Sequence, residues 1–329
     1  MNEYPAVSAN GRYVAFVSYA SNLVPDDTNG ASDVFVRDLR TGTTTRVSVN
    51  SAGQEANELS SDPDLSADGR YVAFTSFASN LVPGDTNAQG DLFVRDLRTG
   101  TTTRVSVSST GEQADKQTYA GVLTPDARYI TFPSAASNLI PDDTNGIRDV
   151  FVRDLRTGTT TRESVSSSGE EADDYSETPV ISADGRYVAF GSSASNLAPG
   201  RNIGLDDVYL RDRRNGTTSR VSVSSTGEQS DTGARSPALS ASGRYLAFAS
   251  FSTNLVPRDT NGAFDVFVRD LLTGVTRRVS VSGIGAQAAG SSANPDISAD
   301  GRYVTFESEA PNLVRRDTNG VRDVFLRKL

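Results

Sequence analysis

Five loops of this chain carry oxygen ligands at a spacing that suits a hard cation. Asp27, Asn29 and Asp33 stand at positions 1, 3 and 7 of one loop, and the spacing recurs at Asp85/Asn87/Asp91, Asp143/Asn145/Asp149, Asp259/Asn261/Asp265 and Asp317/Asn319/Asp323. Two carboxylates and an amide carbonyl, completed by backbone oxygens and water, approach the six to eight oxygens that Ca²⁺ takes at about 2.3–2.6 Å. These loops are not EF-hands, because Gly30 falls fourth rather than sixth and no helical segment follows. A further loop at the same place reads Arg201-Asn202-Ile203-Gly204-Leu205-Asp206-Asp207, so the first two ligands are lost together. Joint loss fits a cation site, whereas Asp and Asn acting only through Asx-turns would tolerate losing one at a time. The expectation is structural calcium at up to five equivalent sites, with Arg201 beside Asp207 replacing it in the fourth loop. The turn-former reading stays open.

Little other chemistry is available. The 329 residues contain no His, Cys or Trp and one Met, and 32 Lys plus Arg against 41 Asp plus Glu give a net charge of −9. Without imidazole or thiol there is no Ser-His-Asp triad, no Cys nucleophile, no disulfide and no ordinary zinc site. An acidic chain is unsuited to tracking phosphates, so no nucleic-acid partner is expected. No apolar run approaches the roughly 18 residues of a membrane span. Met1-Asn2-Glu3 leads directly into patterned sequence without a signal peptide. Calcium, abundant outside cells, nevertheless points to an extracellular or periplasmic location.

The loops recur because the whole chain repeats. A Gly-Arg-Tyr-type segment places Tyr13, Tyr71, Tyr129, Tyr187, Tyr245 and Tyr303 at 58-residue steps, which sets repeats at 1–58, 59–116, 117–174, 175–232, 233–290 and 291–329. Each copy reads as a short apolar strand, a turn such as Asn10-Gly11 or Asp68-Gly69, and a β-branched and aromatic strand (Arg12–Phe16). The long Asp/Asn loop follows, then a third strand (Asp33–Leu39), a Thr-Gly turn and a fourth strand (Thr45–Val49). The third copy alone has Ala127 where the others have Gly in the first turn. Four strands per unit, no helical period and six copies predict an all-β, six-bladed β-propeller forming a single domain over 1–329. The last copy stops at the equivalent of Leu39, so blade 6 is expected to lack its outer strand and to offer Asp323–Arg327 as an edge for self-association.

The segment Pro63-Asp64-Leu65-Ser66-Ala67-Asp68-Gly69-Arg70-Tyr71-Val72-Ala73-Phe74-Thr75-Ser76, followed by Asp91-Leu92-Phe93-Val94-Arg95-Asp96-Leu97, resembles the WD40-like PD40 repeat of TolB-type six-bladed propellers. All six copies carry the resemblance, and it implies the same fold. The family often has an aromatic where Leu65 stands and Pro where Ala67 stands, and TolB's separate N-terminal domain has no counterpart here. TolB's role in envelope transport is therefore not implied, and the repeat serves enzymes, binders and scaffolds alike.

A unique site belongs where copies differ. The links from fourth strand to next first strand vary most, and Tyr119, Tyr175, Glu177 and Arg235 on them are candidates to recognise a protein, peptide or glycan at a channel mouth. Asp64 and Asp296, where other copies have Ala or Val, are the one candidate pair for carboxylate catalysis of the glycosidase kind. Arg37, Arg95, Arg153, Arg211 and Arg269 read as cross-strand ion pairs with neighbouring aspartates. The Asn-Leu pairs at Asn22, Asn80, Asn138, Asn196, Asn254 and Asn312 read as structural. The expected function is a calcium-stabilised binding or interaction module without catalytic activity. Two alternatives stand beside it: a carboxylate glycoside hydrolase or lectin-like sugar binder, and an engineered or amplified scaffold with no native ligand.

Overall fold

Six-residue segments in which Val, Phe and Tyr alternate with small residues, bounded by glycine turns, are the raw material of every element. The computed structural model describes residues 2–200 and 206–329, with side chains from residue 5 onward, and among them there are strands and turns but no helix. The chain divides into two compact units, Met1–Arg162 and Glu163–Leu329, where the sequence reads as one domain.

Unit 1 holds three antiparallel blades. Blade 1 is β1 (Asn2–Val7), β2 (Tyr13–Ser18), β3 (Asp33–Asp38) and β4 (Thr43–Arg46); blade 2 is β5 (Ser60–Leu65), β6 (Tyr71–Ser76), β7 (Asp91–Asp96) and β8 (Thr101–Arg104). Blade 3 is β9 (Val122–Leu123), β10 (Tyr129–Ser134), β11 (Asp149–Asp154) and β12 (Thr159–Arg162). Unit 2 repeats the plan. Blade 4 is β13 (Ser176–Ile181), β14 (Tyr187–Ser192), β15 (Asp207–Asp212) and β16 (Thr217–Arg220); blade 5 is β17 (Ala234–Leu239), β18 (Tyr245–Ser250), β19 (Asp265–Asp270) and β20 (Val275–Arg278). Blade 6 has three strands, β21 (Ser292–Ile297), β22 (Tyr303–Ser308) and β23 (Asp323–Lys328). The fold class is that of a six-bladed β-propeller with a three-stranded last blade, as the repeat predicts.

Period-two alternation puts apolar side chains on both faces of each blade. Phe16 stacks on Phe35 at 5.8 Å on one face, and Val34 and Val36 on the other pack against Val72, Phe74 and Phe93 of blade 2. Burying each such aromatic contributes about 2–3 kcal/mol, and its stacked partner adds about 1 kcal/mol. Blade 6 is the last of unit 2, and there Val324 and Leu326 are 75% and 67% exposed where Val34 and Val36 are 0% and 4% exposed.

The structure corrects two local expectations. The first turn is not a two-residue hairpin with both residues at positive φ: Gly11 N–H donates to Ser8 O at 2.8 Å and only Gly11 has positive φ, at 68°. The Asn10 carboxamide oxygen closes this wider turn, accepting from Arg12 N–H and Ser8 Oγ–H at 2.9 and 2.8 Å. The fourth strand is Thr43–Arg46 rather than Thr45–Val49, because Val47 N–H turns inward to Val34 O and the chain then curls to pair Val49 with Glu55.

That curl ties blade to blade. Arg95 Nη1 donates to the carbonyls of Val49 and Asn50 at 3.2 Å, and Thr102 Oγ1–H donates to Val49 O at 2.6 Å. Arg95, Arg153 and Arg269 are thus carbonyl clasps for the preceding blade rather than the ion pairs expected of them, whereas Arg37 bonds Thr44 Oγ1 and Arg211 lies 3.9 Å from Glu163. Burial in this place lowers the pKa of Arg95, Arg153 and Arg269. The Asn-Leu pairs act structurally: Asn80 Nδ2 donates to Glu55 O at 2.8 Å while Leu81 is 2% exposed.

Gly69 sits at φ 72° beneath Tyr13, where a Cβ would lie 2.2 Å from Cδ2 of the ring. Gly69→Ala should therefore destabilise unit 1 by about 1–3 kcal/mol, read as a lower urea midpoint, whereas Gly53→Ala, with no neighbour within 4 Å, should cost less.

Candidate functional site

The Asp/Asn loops are gathered around an arginine of the same blade. In blade 2, Arg104 Nη1 lies 3.3 Å from Asp85 and 3.2 Å from Asp91. Arg162 stands 3.5 and 3.4 Å from Asp143 and Asp149, and Arg278 3.1 Å from both Asp259 and Asp265. Arg46 approaches Asp27 and Asp33 at 3.9 and 3.8 Å and also pairs with Glu55. The aspartate that opens the third strand of the blade, strand C, is wholly buried in each clamp and takes a further hydrogen bond, Ser106 Oγ–H to Asp91 at 2.5 Å in blade 2. Burial pushes the pKa of Asp33, Asp85, Asp91 and Asp259 upward, against the pull of the guanidinium.

The asparagine of the motif serves the loop itself. Asn29 Nδ2 donates to Asp33 at 3.1 Å and to Ala56 O at 2.9 Å, and its carbonyl oxygen accepts from Ala31 N–H at 2.9 Å. Asn87, Asn145 and Asn261 repeat the bond to their strand-C aspartate. Asn319 likewise bonds Asp323 in blade 6, which has no fourth strand to supply an arginine. A hard cation matches the donor set in blade 1, where carboxylate oxygens of Asp27, Asp33 and Glu55 lie within 4.8 Å of one another, although Arg46 already stands among them.

Blade 4 shows how the clamp survives loss of its first aspartate. Residues 201–205, and with them the expected stand-in Arg201, lie outside the described residues. Arg220 keeps Asp207 at 3.0 Å, and its Nη2 donates to Tyr209 Oη at 3.2 Å. Tyr209 Oη–H donates in turn to Ala194 O at 3.1 Å. Tyr209 takes the place held by Phe35, Phe93, Phe151, Phe267 and Phe325 in the other copies, so the added hydroxyl accompanies the missing carboxylate.

The residues singled out for catalysis are engaged with backbone. Asp64 Oδ2 accepts from Leu123 N–H of blade 3 at 2.7 Å, and Asp296 Oδ1 accepts from its neighbour Ile297 N–H at 2.8 Å. Loss of hydration pushes the Asp64 pKa up to about 6, with the Leu123 and Leu65 N–H groups pulling against it.

The variable residues meet at one end of each blade. Position by position, the residue after the second strand, the residue before the third and the start of the first strand come together. In blade 2 the Phe77 ring covers Gly90, whose added Cβ would lie 3.0 Å away; in blade 3 the Arg148 guanidinium sits 4.1 Å over Tyr119. Tyr175 Oη–H and Ser193 Oγ–H both donate to Asp206 in blade 4, at 3.0 and 2.5 Å, and Glu177 is half-buried nearby on β13. Arg235 lies 4.1 Å over Phe264, itself edge-on to Phe251 at 5.5 Å, and Arg322 pairs with Glu309 at 2.7 Å and Glu307 at 3.4 Å. The sequence reading found Tyr119, Tyr175, Glu177 and Arg235 but missed Phe77, Arg148, Asp206, Phe251, Phe264, Glu309 and Arg322. Their signal was available: they flank the otherwise unchanging Ser18-type and Asp33-type residues of every copy.

Three outcomes follow. Arg104→Ala strands two buried carboxylates and should cost about 3–5 kcal/mol in urea unfolding. Tyr209→Phe should cost about 1 kcal/mol, and Phe93→Tyr should not bring a matching gain, because Arg104 already has two carboxylates. A carboxyl whose folded pKa is raised gives stability below its unfolded pKa that is lost as pH rises, here between about 4 and about 6. Relative to the wild type, Asp64→Asn should remove a pH-dependent loss on the order of 3 kcal/mol, measured by urea midpoints at pH 4 and pH 7.

No family model and no curated protein matches the chain. Solved structures do. TolB from Acinetobacter baumannii is 18% identical over 84% of this chain at a TM-score of 0.47, and the chain spans 53% of that protein's length. A putative TolB from Agrobacterium tumefaciens is 17% identical, with 100% of this chain and 90% of that one covered at a TM-score of 0.51. The β-propeller domain of the trilobed protease from Pyrococcus furiosus is 11% identical, covering 99% and 81% at a TM-score of 0.58. What the chain shares with the last two is their fold, the β-propeller, and its blades are of that kind.

Proposed function

We propose that this protein is a non-catalytic interaction module whose variable blade ends bind a protein or peptide outside the cytoplasm. The observation that carries the reading is the division of labour between positions. Residues that clamp loops and clasp blades barely change from copy to copy, whereas three adjacent positions at one blade end carry Phe, Tyr, Arg, Asp or Glu in a different combination each time. Aromatic and arginine side chains with part of their surface exposed, such as Phe77 at 42%, Phe251 at 40% and Tyr175 at 38%, are the usual anchors of an interface. The opposite hairpin ends offer no such variety. Catalysis is not favoured, since Asp64 and Asp296 each accept a hydrogen bond from a backbone N–H. Selection of displayed random peptides on the folded chain tests the proposal: enriched peptides should lose at least about tenfold in affinity for Phe77→Ala, Tyr119→Ala and Phe251→Ala, and none for Arg40→Ala. No enrichment, or equal binding by all four variants, contradicts it.

A second reading concerns calcium, and the third carboxylate in blade 1 favours it. Bound at Asp27, Asp33 and Glu55, the ion would displace the Arg46 guanidinium and hold the loop by oxygen ligation. Added Ca²⁺ should then raise the melting temperature, with the rise abolished in Glu55→Gln. Identical melts in chelator and in calcium leave the arginine as the sole internal cation of that loop.

A further inference from the structure

The first turn of blade 3 departs from its fellows in a way that reshapes the space beside it. Tyr13 lies over Gly69 in unit 1, and in unit 2 Tyr187 and Tyr245 cover Gly243 and Gly301, where a Cβ would stand 2.4 and 2.3 Å from the rings. The third copy has Ala127 there, at φ 53°. Its methyl group occupies space that the tyrosine ring covers at those other turns, and Tyr71 and Ala127 both line the cleft beside it. Arg128 differs too: Arg12, Arg70, Arg186 and Arg244 each grip their aspartate with two hydrogen bonds, while Arg128 keeps one contact of 3.2 Å to Asp154.

A cleft of about 640 Å³ results between blades 2 and 3, against about 220 Å³ between blades 1 and 2. The corresponding clefts of unit 2, at Gly243 and Gly301, are about 490 and 450 Å³. The walls are chemically distinct. Arg128 and Arg156 supply two guanidinium groups, and that of Arg156 has no partner among the described residues. Thr101 and Thr103 offer hydroxyls, and Tyr71 and Leu155 an apolar surface. The lining acids are already engaged, Asp96 by two bonds from Arg70 and Asp126 by Thr124 Oγ1–H and Arg128 N–H. At the cleft between blades 4 and 5 the place of Arg156 is taken by Leu272, and the arginines that line it are engaged, Arg220 by Asp207, Arg244 by Asp270 and Arg269 by the carbonyls of Val223 and Ser224.

We propose that the cleft between blades 2 and 3 binds a sugar acid. A free guanidinium fork matches a carboxylate, the threonine hydroxyls match ring hydroxyls, and the Tyr71 face matches the apolar side of a pyranose. The volume suits one or two sugar rings. Calorimetric titration of the full chain with glucuronate, glucose and inorganic phosphate tests the assignment. Glucuronate should saturate a single site, glucose should not, and phosphate should bind at least about tenfold more weakly. Arg156→Ala should lose about tenfold or more. Ala127→Gly, which restores the residue of the other copies and keeps the fold, should also weaken binding by letting the Tyr71 ring close the cleft. Absence of saturation by glucuronate, equal binding by Arg156→Ala, or phosphate binding as tightly as glucuronate overturns the proposal.

Discussion

The guanidinium held between two buried aspartates is the interaction on which blades 1, 2, 3 and 5 depend. The loop joining second to third strand is long, has no regular structure of its own and must return the chain to a fixed place at the top of the third strand. A buried arginine reaching from the fourth strand supplies that fixed point, because two carboxylates taken out of water tolerate no vacancy between them. The serine and asparagine bonds around the clamp fill the remaining acceptor positions and make its geometry single-valued. The curl after the fourth strand and the clasp it offers the next blade begin at the strand end from which the arginine reaches.

Blade 4 gives this account its internal control. A copy that loses the first aspartate keeps its arginine and gains a phenolic hydroxyl aimed at it, so the compensation is directed at the guanidinium. With the folding work assigned to clamp, clasp and stacked rings, the residues at the variable blade end and at the Ala127 cleft carry none of it, as the proposed recognition requires. The shared fold with TolB and with a protease's propeller domain fits a scaffold that carries different sites in different proteins.

The architecture was legible in the sequence because a 58-residue period with four short strands per copy has few solutions. Strand positions were legible to within three residues, and the missing outer strand of blade 6 followed from the register alone. What the spacing could not reveal was the identity of the cation in the loops. Asp27, Asn29 and Asp33 have the same spacing whether they face an ion or Arg46, and Arg46 is far along the chain from them, so only the folded blade brings it in. The same limit hid the arginine clasps: Arg95 adjoins Asp96 in sequence, yet alternation sends the two to opposite faces, and Asp96 pairs instead with Arg70. Ala127 was visible as an exception, but its meaning required the tyrosine ring of the neighbouring blade.

The most direct measurement is a double-mutant cycle between Arg104 and Asp85 in calcium-free buffer, with each single variant, the pair and the wild type unfolded in urea. If the guanidinium clamp organises the loop, the two substitutions are coupled by about 2 kcal/mol or more. Additive effects, with no coupling between the two, would contradict the account.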